Sequence, residues 1–172
     1  GRDDRAGPDL VHSFRFATVE TGDEPAPFTV IGIDSTTGAE KFSVTPQISG
    51  NPVWGFNYGI IIAGDGNAYV PYSYGEWLPY QLNHLKLLRV SSEGAHENID
   101  VYDWISGVNT TGPMVGDVEM ITNADTGILL SWESYYAGGP YSEDTRGYMA
   151  TITGPSASVV AAPGQFHFVT PV

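Results

Sequence analysis

A short apolar strand pattern runs into a glycine turn three times in this chain at nearly constant spacing, and few folds accept such a period. Val30-Ile31-Gly32-Ile33-Asp34-Ser35-Thr36-Thr37-Gly38-Ala39 lines up with Lys86-Leu87-Leu88-Arg89-Val90-Ser91-Ser92-Glu93-Gly94-Ala95, and more loosely with the run from Tyr148 to Gly154. The turn glycines Gly38, Gly94 and Gly154 stand 56 and 60 residues apart. That interval is too long for a solenoid coil and suits a four-stranded propeller blade with one enlarged loop. A second landmark recurs in the same order: Ile48-Ser49-Gly50 returns as Ile105-Ser106-Gly107. Each precedes a Pro/Gly-rich run and a hairpin pattern, residues 60–70 and 119–129. Asp65-Gly66 and Asp125-Thr126-Gly127 between apolar runs are tight-turn chemistry, because glycine accepts the positive φ that hairpin twist demands.

The repeat predicts an all-β chain of antiparallel four-stranded β-propeller blades, with strands A to D from the axis outward. In the first blade B runs over 11–20, C over 28–34 and D over 40–44. In the second, A to D cover 59–63, 68–74, 84–90 and 98–104. In the third they cover 118–122, 127–133, 147–153 and 158–162, and 165–170 begins another strand. The organisation expected is a flexible N-terminal segment, 1–9, and one propeller region, 10–172. Its blades are about 10–47, 48–107 and 108–163, with the start of a further strand at 164–172. Composition agrees: 41% hydrophobic and 12% aromatic residues against 16% charged exclude general disorder, while 21 glycines and 12 prolines supply many turns. The best helix candidate, 82–88, is too short and reads better as a strand entry.

About three blades do not close a ring, since propellers have about four to eight. The leading expectation is a segment of a larger propeller. The alternatives are two copies self-associating through exposed blade faces into a six-bladed ring, and a β-sandwich. The start, Gly1-Arg2-Asp3-Asp4-Arg5, has no initiator methionine and reads as a processed end, a trimmed chain or an internal fragment.

The formal charge of -13, from 20 acids against 7 bases, repels phosphate backbones and anionic membranes. No nucleic-acid partner is expected. Nor is membrane insertion, since Ile60-Ile61-Ile62-Ala63 is the longest purely aliphatic stretch. The chain has no cysteine, which excludes disulfides, thiolate zinc sites and cysteine nucleophiles.

The run Val30 to Phe42 resembles the quinoprotein-type, or PQQ-like, propeller repeat. Blades of that family carry a strand, then Asp-x-x-Thr-Gly, then a strand opening on an aromatic residue, and Asp34, Thr37, Gly38 and Phe42 occupy those positions. Gly94 and Gly154 keep the turn, with Val90 and Ala150 in place of the aspartate. The family's tryptophan is Phe42 in the first blade and is not evident elsewhere. The resemblance implies a PQQ-like β-propeller from a bacterial exported protein, secreted or periplasmic. It does not imply PQQ binding, because quinoprotein dehydrogenases pair a calcium-bound quinone with vicinal cysteines, and this chain has none.

Candidate sites follow from position. The B-to-C connections, 21–27, 75–83 and 134–146, read as long loops emerging on one face of the disc. Aromatic residues crowd the second and third: Tyr72, Tyr74, Trp77 and Tyr80 in one, Trp132, Tyr135, Tyr136 and Tyr141 in the other. Glu76, Glu133, Glu143 and Asp144 accompany them. Exposed rings with polar neighbours suit a sugar or a protein partner, because flat apolar area comes at low entropic cost. The competing reading is that the rings cap the blade edges as core.

No cofactor is expected, calcium being the possible exception, through Asp65, Gly66, Asn67, Asn123 and Asp125. A turn role suffices for each, and no EF-hand spacing is present. His12, His84, His96 and His167 lack metal-ligand spacing and read as surface or packing residues. No nucleophile elbow, phosphate loop or dinucleotide fingerprint occurs. Asn109-Thr110-Thr111 fits the glycosylation sequon. The function expected is a non-catalytic extracellular or periplasmic binding or structural module. Its rivals are a propeller enzyme (a glycoside hydrolase or lyase, or a quinoprotein-like oxidoreductase) and a filament or surface-layer subunit.

Overall fold

The computed structural model describes residues 14–19, 28–48, 52–78, 80–106, 113–123, 127–136 and 146–162. Among them the fold is all-β, with antiparallel sheets and no helix. Sheet I contains β1 (Phe14–Val19), β2 (Thr29–Asp34) and β3 (Glu40–Val44), paired in that order. Sheet II contains β4 (Pro52–Asn57), β5 (Ile61–Ile62), β6 (Ala68–Leu78), β7 (Tyr80–Val90) and β8 (His96–Ser106). Its order is β4-β6-β7-β8, with β5 also on β6. Sheet III runs β9 (Pro113–Asn123), β10 (Gly127–Tyr136), β11 (Arg146–Thr153), β12 (Ser156–Ala162), each paired with the next. Every sheet is therefore a meander, and each falls within one of the expected repeat segments. Such sheets are compatible with propeller blades or with a sandwich.

Strand alternation explains how the sheets stack. Side chains of β6 point to opposite faces by turns. Ala68, Val70, Tyr72 and Tyr74 join Leu88 and Val90 of β7 in a buried cluster with Phe28, Val30 and Val44 of the first repeat. On the other face Tyr69, Leu85, Leu87, Ile99 and Val101 pack with Ile128, Leu130, Trp132, Tyr148, Ala150 and Ile152 of sheet III. Sheet II is thus covered on both faces, which is why β6 reads as a nearly continuous apolar run from Ala68 to Tyr74. β8 lies against β12 and β5 against β9, so sheets II and III face each other in the same strand order.

The three matched glycines all sit in the hairpin linking the last two strands of their sheet. Each has positive φ: 72° at Gly38, 82° at Gly94 and 60° at Gly154. In sheet I the Asp34 carboxylate accepts the backbone N–H groups of Thr36 and Thr37 at 2.8 and 3.0 Å. In sheet II that job passes to Ser91, whose hydroxyl accepts the N–H groups of Glu93 and Ala95 at 3.3 and 3.1 Å. Val90 stands at the aligned position, but the turn is one residue shorter and the capping side chain moves along by one. Phe42 ties the first two repeats together. A Cβ built on Gly32, its cross-strand partner, would lie 2.3 Å from the ring, and one built on Gly94 would lie 2.8 Å from Phe42 Cγ. The ring therefore wedges between a strand glycine of sheet I and the turn glycine of sheet II.

The structure corrects three expectations. The expected loop 75–83 is strand: β6 extends to Leu78 and β7 starts at Tyr80, with Gly75 paired to Asn83 and Leu78 to Tyr80. The aromatic and aliphatic residues there prefer the pleated surface strongly enough to outweigh Gly75. The inner strand of the second repeat, expected over 59–63, begins at Pro52 and is split into β4 and β5. Pro71 of β6 is the cause: its carbonyl accepts the Tyr58 N–H at 2.9 Å, but it has no N–H to return on that side, and the inner strand breaks at 58–60. Ile62 is 49% exposed on the short β5. The expected connection 134–146 is also shortened, since 134–136 belong to β10 and Arg146 opens β11; residues 137–145, the connection 21–27 and the expected strand 165–170 lie outside the described residues.

Candidate functional site

The aromatic set divides. Tyr72 and Tyr74 project from one face of β6 and are 0% and 1% exposed, and Trp132 on β10 is 1% exposed. All three are core, which corrects their placement on an open loop face. Strand periodicity puts them there, since each shares its face with buried neighbours (Val70 beside Tyr72, Leu130 beside Trp132). Trp77, Tyr80, Tyr135 and Tyr136 occupy the far ends of β6, β7 and β10, where Trp77 pairs with Gln81 and Tyr136 with Pro113. Tyr141 lies outside the described residues, as do Glu143 and Asp144.

Between sheets I and II the rings form a row. Phe28 meets Tyr72 edge-on at 5.5 Å, Tyr72 stacks on Tyr74 at 6.2 Å, and Tyr74 stacks on His84 at 4.6 Å. The Tyr72 hydroxyl donates to Asn98 Oδ1 at 2.9 Å, and Asn98 Nδ2 donates to the Gln47 carbonyl at 3.3 Å. Burial, followed by the neighbouring Tyr74 and Asp100, pushes the Tyr72 hydroxyl above its ordinary pKa. Between sheets II and III, Trp132 stacks on Tyr148 at 5.5 Å, and Tyr102 leans on both rings. The Trp132 Nε1 is buried with no hydrogen-bond partner among the described residues.

The row ends on a polar cluster that no sequence motif announces. His84 is 7% exposed and Glu76 6%. His84 Nδ1 lies 2.7 Å from Asp103 Oδ1, while its Nε2 stands 3.6 Å from Glu76 Oε1, beyond hydrogen-bond length. Register alone unites these residues: His84 pairs with Tyr74 on one side and Asp103 on the other, and Glu76 is the diagonal neighbour. Asp103 fixes the orientation of the ring through Nδ1. Nε2 faces a second carboxylate, however, and not a hydroxyl nucleophile. Among the described residues no cluster of His, Cys, Asp or Glu could hold a metal ion. His84 is best described as a packing histidine anchored through Nδ1, its buried Nε2 having no hydrogen-bond partner among the described residues. Lys86 continues the polar row, donating to Asp100 at 2.6 Å.

At the opposite end of sheet II the glycine turns gather a second group. Asp65 accepts the Asn67 backbone N–H at 3.0 Å, Asn67 Nδ2 at 2.6 Å and the Tyr69 hydroxyl at 2.9 Å. Partial burial pushes Asp65 upward, but these bonds and Arg89 outweigh it and hold the carboxyl below 3.8. The same contact, added to burial, drives Tyr69 up to about 12. Arg89 donates to Glu97 at 2.8 Å and lies 3.7 Å from Asp65. A depression of about 260 Å3 opens here, lined by Asn67, Arg89, Ser91, Ala95, His96 and Glu97. In sequence Asp65 and Asn67 read as turn residues, and Asp65 does cap its turn. The pairing with Arg89 and Glu97 carried no signal, because it crosses three strands. No helix among the described residues is long and apolar enough to cross a membrane. Compared with protein-family models, curated proteins and solved structures, the chain matches none.

Proposed function

We propose that this chain is a run of PQQ-like β-propeller blades from an exported bacterial protein. It acts without catalysis, as a module that binds a protein or carbohydrate partner. One observation carries the propeller reading: successive repeats stack in sequence order with the middle sheet covered on both faces, and Phe42 of one repeat wedges against the turn glycine of the next. Blade-on-blade packing requires this arrangement. A two-layer sandwich does not call for it.

The partner-binding reading rests on the ends of β6, β7 and β10, where Trp77, Tyr80, Tyr135 and Tyr136 cluster in sequence opposite the glycine turns. Electron microscopy of the native protein tests the ring, the expected image being a disc with a central channel. A glycan array and a cross-linking screen test the binding face. Retention that drops at least about tenfold in Trp77→Ala or Tyr80→Ala supports the reading. Turnover of a glycan, or quinone-dependent oxidation that disappears in Glu76→Gln, replaces it with an enzyme.

A further inference from the structure

The depression at the glycine-turn end of sheet II has a donor and acceptor set whose charges are already committed. Arg89 is held between Glu97 at 2.8 Å and Asp65 at 3.7 Å. An incoming anion would have to detach the guanidinium from two carboxylates, and an incoming cation would meet that guanidinium. Beside this ion network the depression is lined by neutral groups. The Ser91 hydroxyl accepts two backbone N–H groups and so keeps its own hydrogen to donate. His96 Nδ1 lies 3.3 Å from the Gly94 carbonyl, which can only accept, so the ring hydrogen sits there and Nε2 is an acceptor. Asn67 donates one amide hydrogen to Asp65, leaving a second N–H and Oδ1 as a further donor and acceptor.

Alternating donors and acceptors of this kind match vicinal hydroxyls, each of which donates and accepts. The volume of about 260 Å3 equals roughly nine waters at about 30 Å3 each. It falls just below the range of drug-sized pockets, about 300–1,000 Å3. One sugar ring fits and an extended chain does not.

We propose that this pocket binds a single neutral sugar ring, the turns 64–67 and 91–95 and the adjoining His96 supplying its polar contacts. The site is at the far end of sheet II from Trp77 and Tyr80 and needs no closed ring of blades, so either proposal can fail while the other stands.

Backbone amide shifts of the full 172-residue chain test it, in separate titrations with the methyl glycosides of glucose, galactose and mannose. Inorganic phosphate and calcium chloride serve as parallel titrants. The expected result is saturable shifts at Asn67, Arg89, Ser91, Ala95, His96 and Glu97 with at least one glycoside. The dissociation constant should be on the order of 10 mM, as suits one small open site. Ala95→Leu fills the depression from an exposed position whose hydrogen bonds are all backbone, and should weaken binding at least about tenfold at an unchanged melting temperature. If Ala95→Leu lowers the melting temperature, His96→Ala takes its place with the same expectation. The proposal is overturned if no glycoside shifts these amides, if phosphate or calcium saturates them instead, or if the variant that stays folded binds as well as the parent.

Discussion

At Gly94 two separate constraints coincide: a φ of 82° and the Phe42 ring, 2.8 Å from where a Cβ would stand. Gly154 shares the first constraint, with φ 60°, and among the described residues nothing lies within 4 Å of where its Cβ would stand. Gly154→Ala should therefore cost about 1 kcal/mol, the price of a left-handed alanine. Gly94→Ala should cost about 2–3 kcal/mol, because the ring must also move. Urea denaturation of the two variants measures the difference, and equal losses would mean that Phe42 does not press on the turn. Acid stability has its own residue signature. The N–H groups of Thr37 and Thr36 hold the Asp34 carboxyl below 3.8, and Asp65 is also held below that value. A carboxyl depressed in the folded state stabilises the fold above its unfolded pKa and loses that effect as pH falls through the folded one. Asp34→Asn should thus flatten the loss of stability below about pH 4, which melting temperatures measured from pH 6 to pH 2 will show. Tyr69, raised to about 12, works in the opposite sense: its contribution is complete below about pH 10 and declines as pH rises toward 12.

Strand faces set what a substitution costs within each element. Leu87 on β7 is 0% exposed against sheet III, whereas Ile62 on β5 is 49% exposed. Leu87→Ala should lose about 2–5 kcal/mol by leaving a cavity, and Ile62→Thr should stay within about 0.5 kcal/mol. Chemical denaturation separates them, and a costly Ile62→Thr would show β5 covered in solution. Tyr72→Phe removes the bond to Asn98, whose exposed amide can turn to water, for a loss of about 0.5–1.5 kcal/mol. The alternation rule allowed no forecast of Pro71, whose missing N–H splits the inner strand. Nor did the long Gly75–Asn83 connection survive, because Gly and Pro punctuation competes with cross-strand packing that a linear reading does not weigh. Strand existence was legible almost throughout, since each strand carries its own apolar period. Strand ends were not, since they depend on the neighbouring strand.

For the whole molecule, the position of sheet II between two others governs dynamics. Amides of β6 and β7, paired on both sides in a sheet covered on both faces, should exchange most slowly. Those of the edge strands β3 and β12 should exchange fastest. Hydrogen exchange followed by mass spectrometry checks the ranking, and uniform protection across the three sheets would remove sheet II from the centre. The Phe42 wedge joins only the first interface. The position of sheet II that matches Phe42 is Asn98, and among the described residues no ring approaches Gly154. Sheets II and III rely instead on the Trp132, Tyr148 and Tyr102 cluster.

Read alone, the amino-acid order contained the all-β class, the period of the repeat and the three positive-φ turns, because each depends on residues within a few positions of one another. Which aromatic rings are buried, why His84 meets both Glu76 and Asp103, and how Arg89 comes to close a pocket with Glu97 and Asp65 depend on register and on sheet stacking. Those contacts join residues far apart in the chain, and their energies exist only once strands are paired and faces are covered.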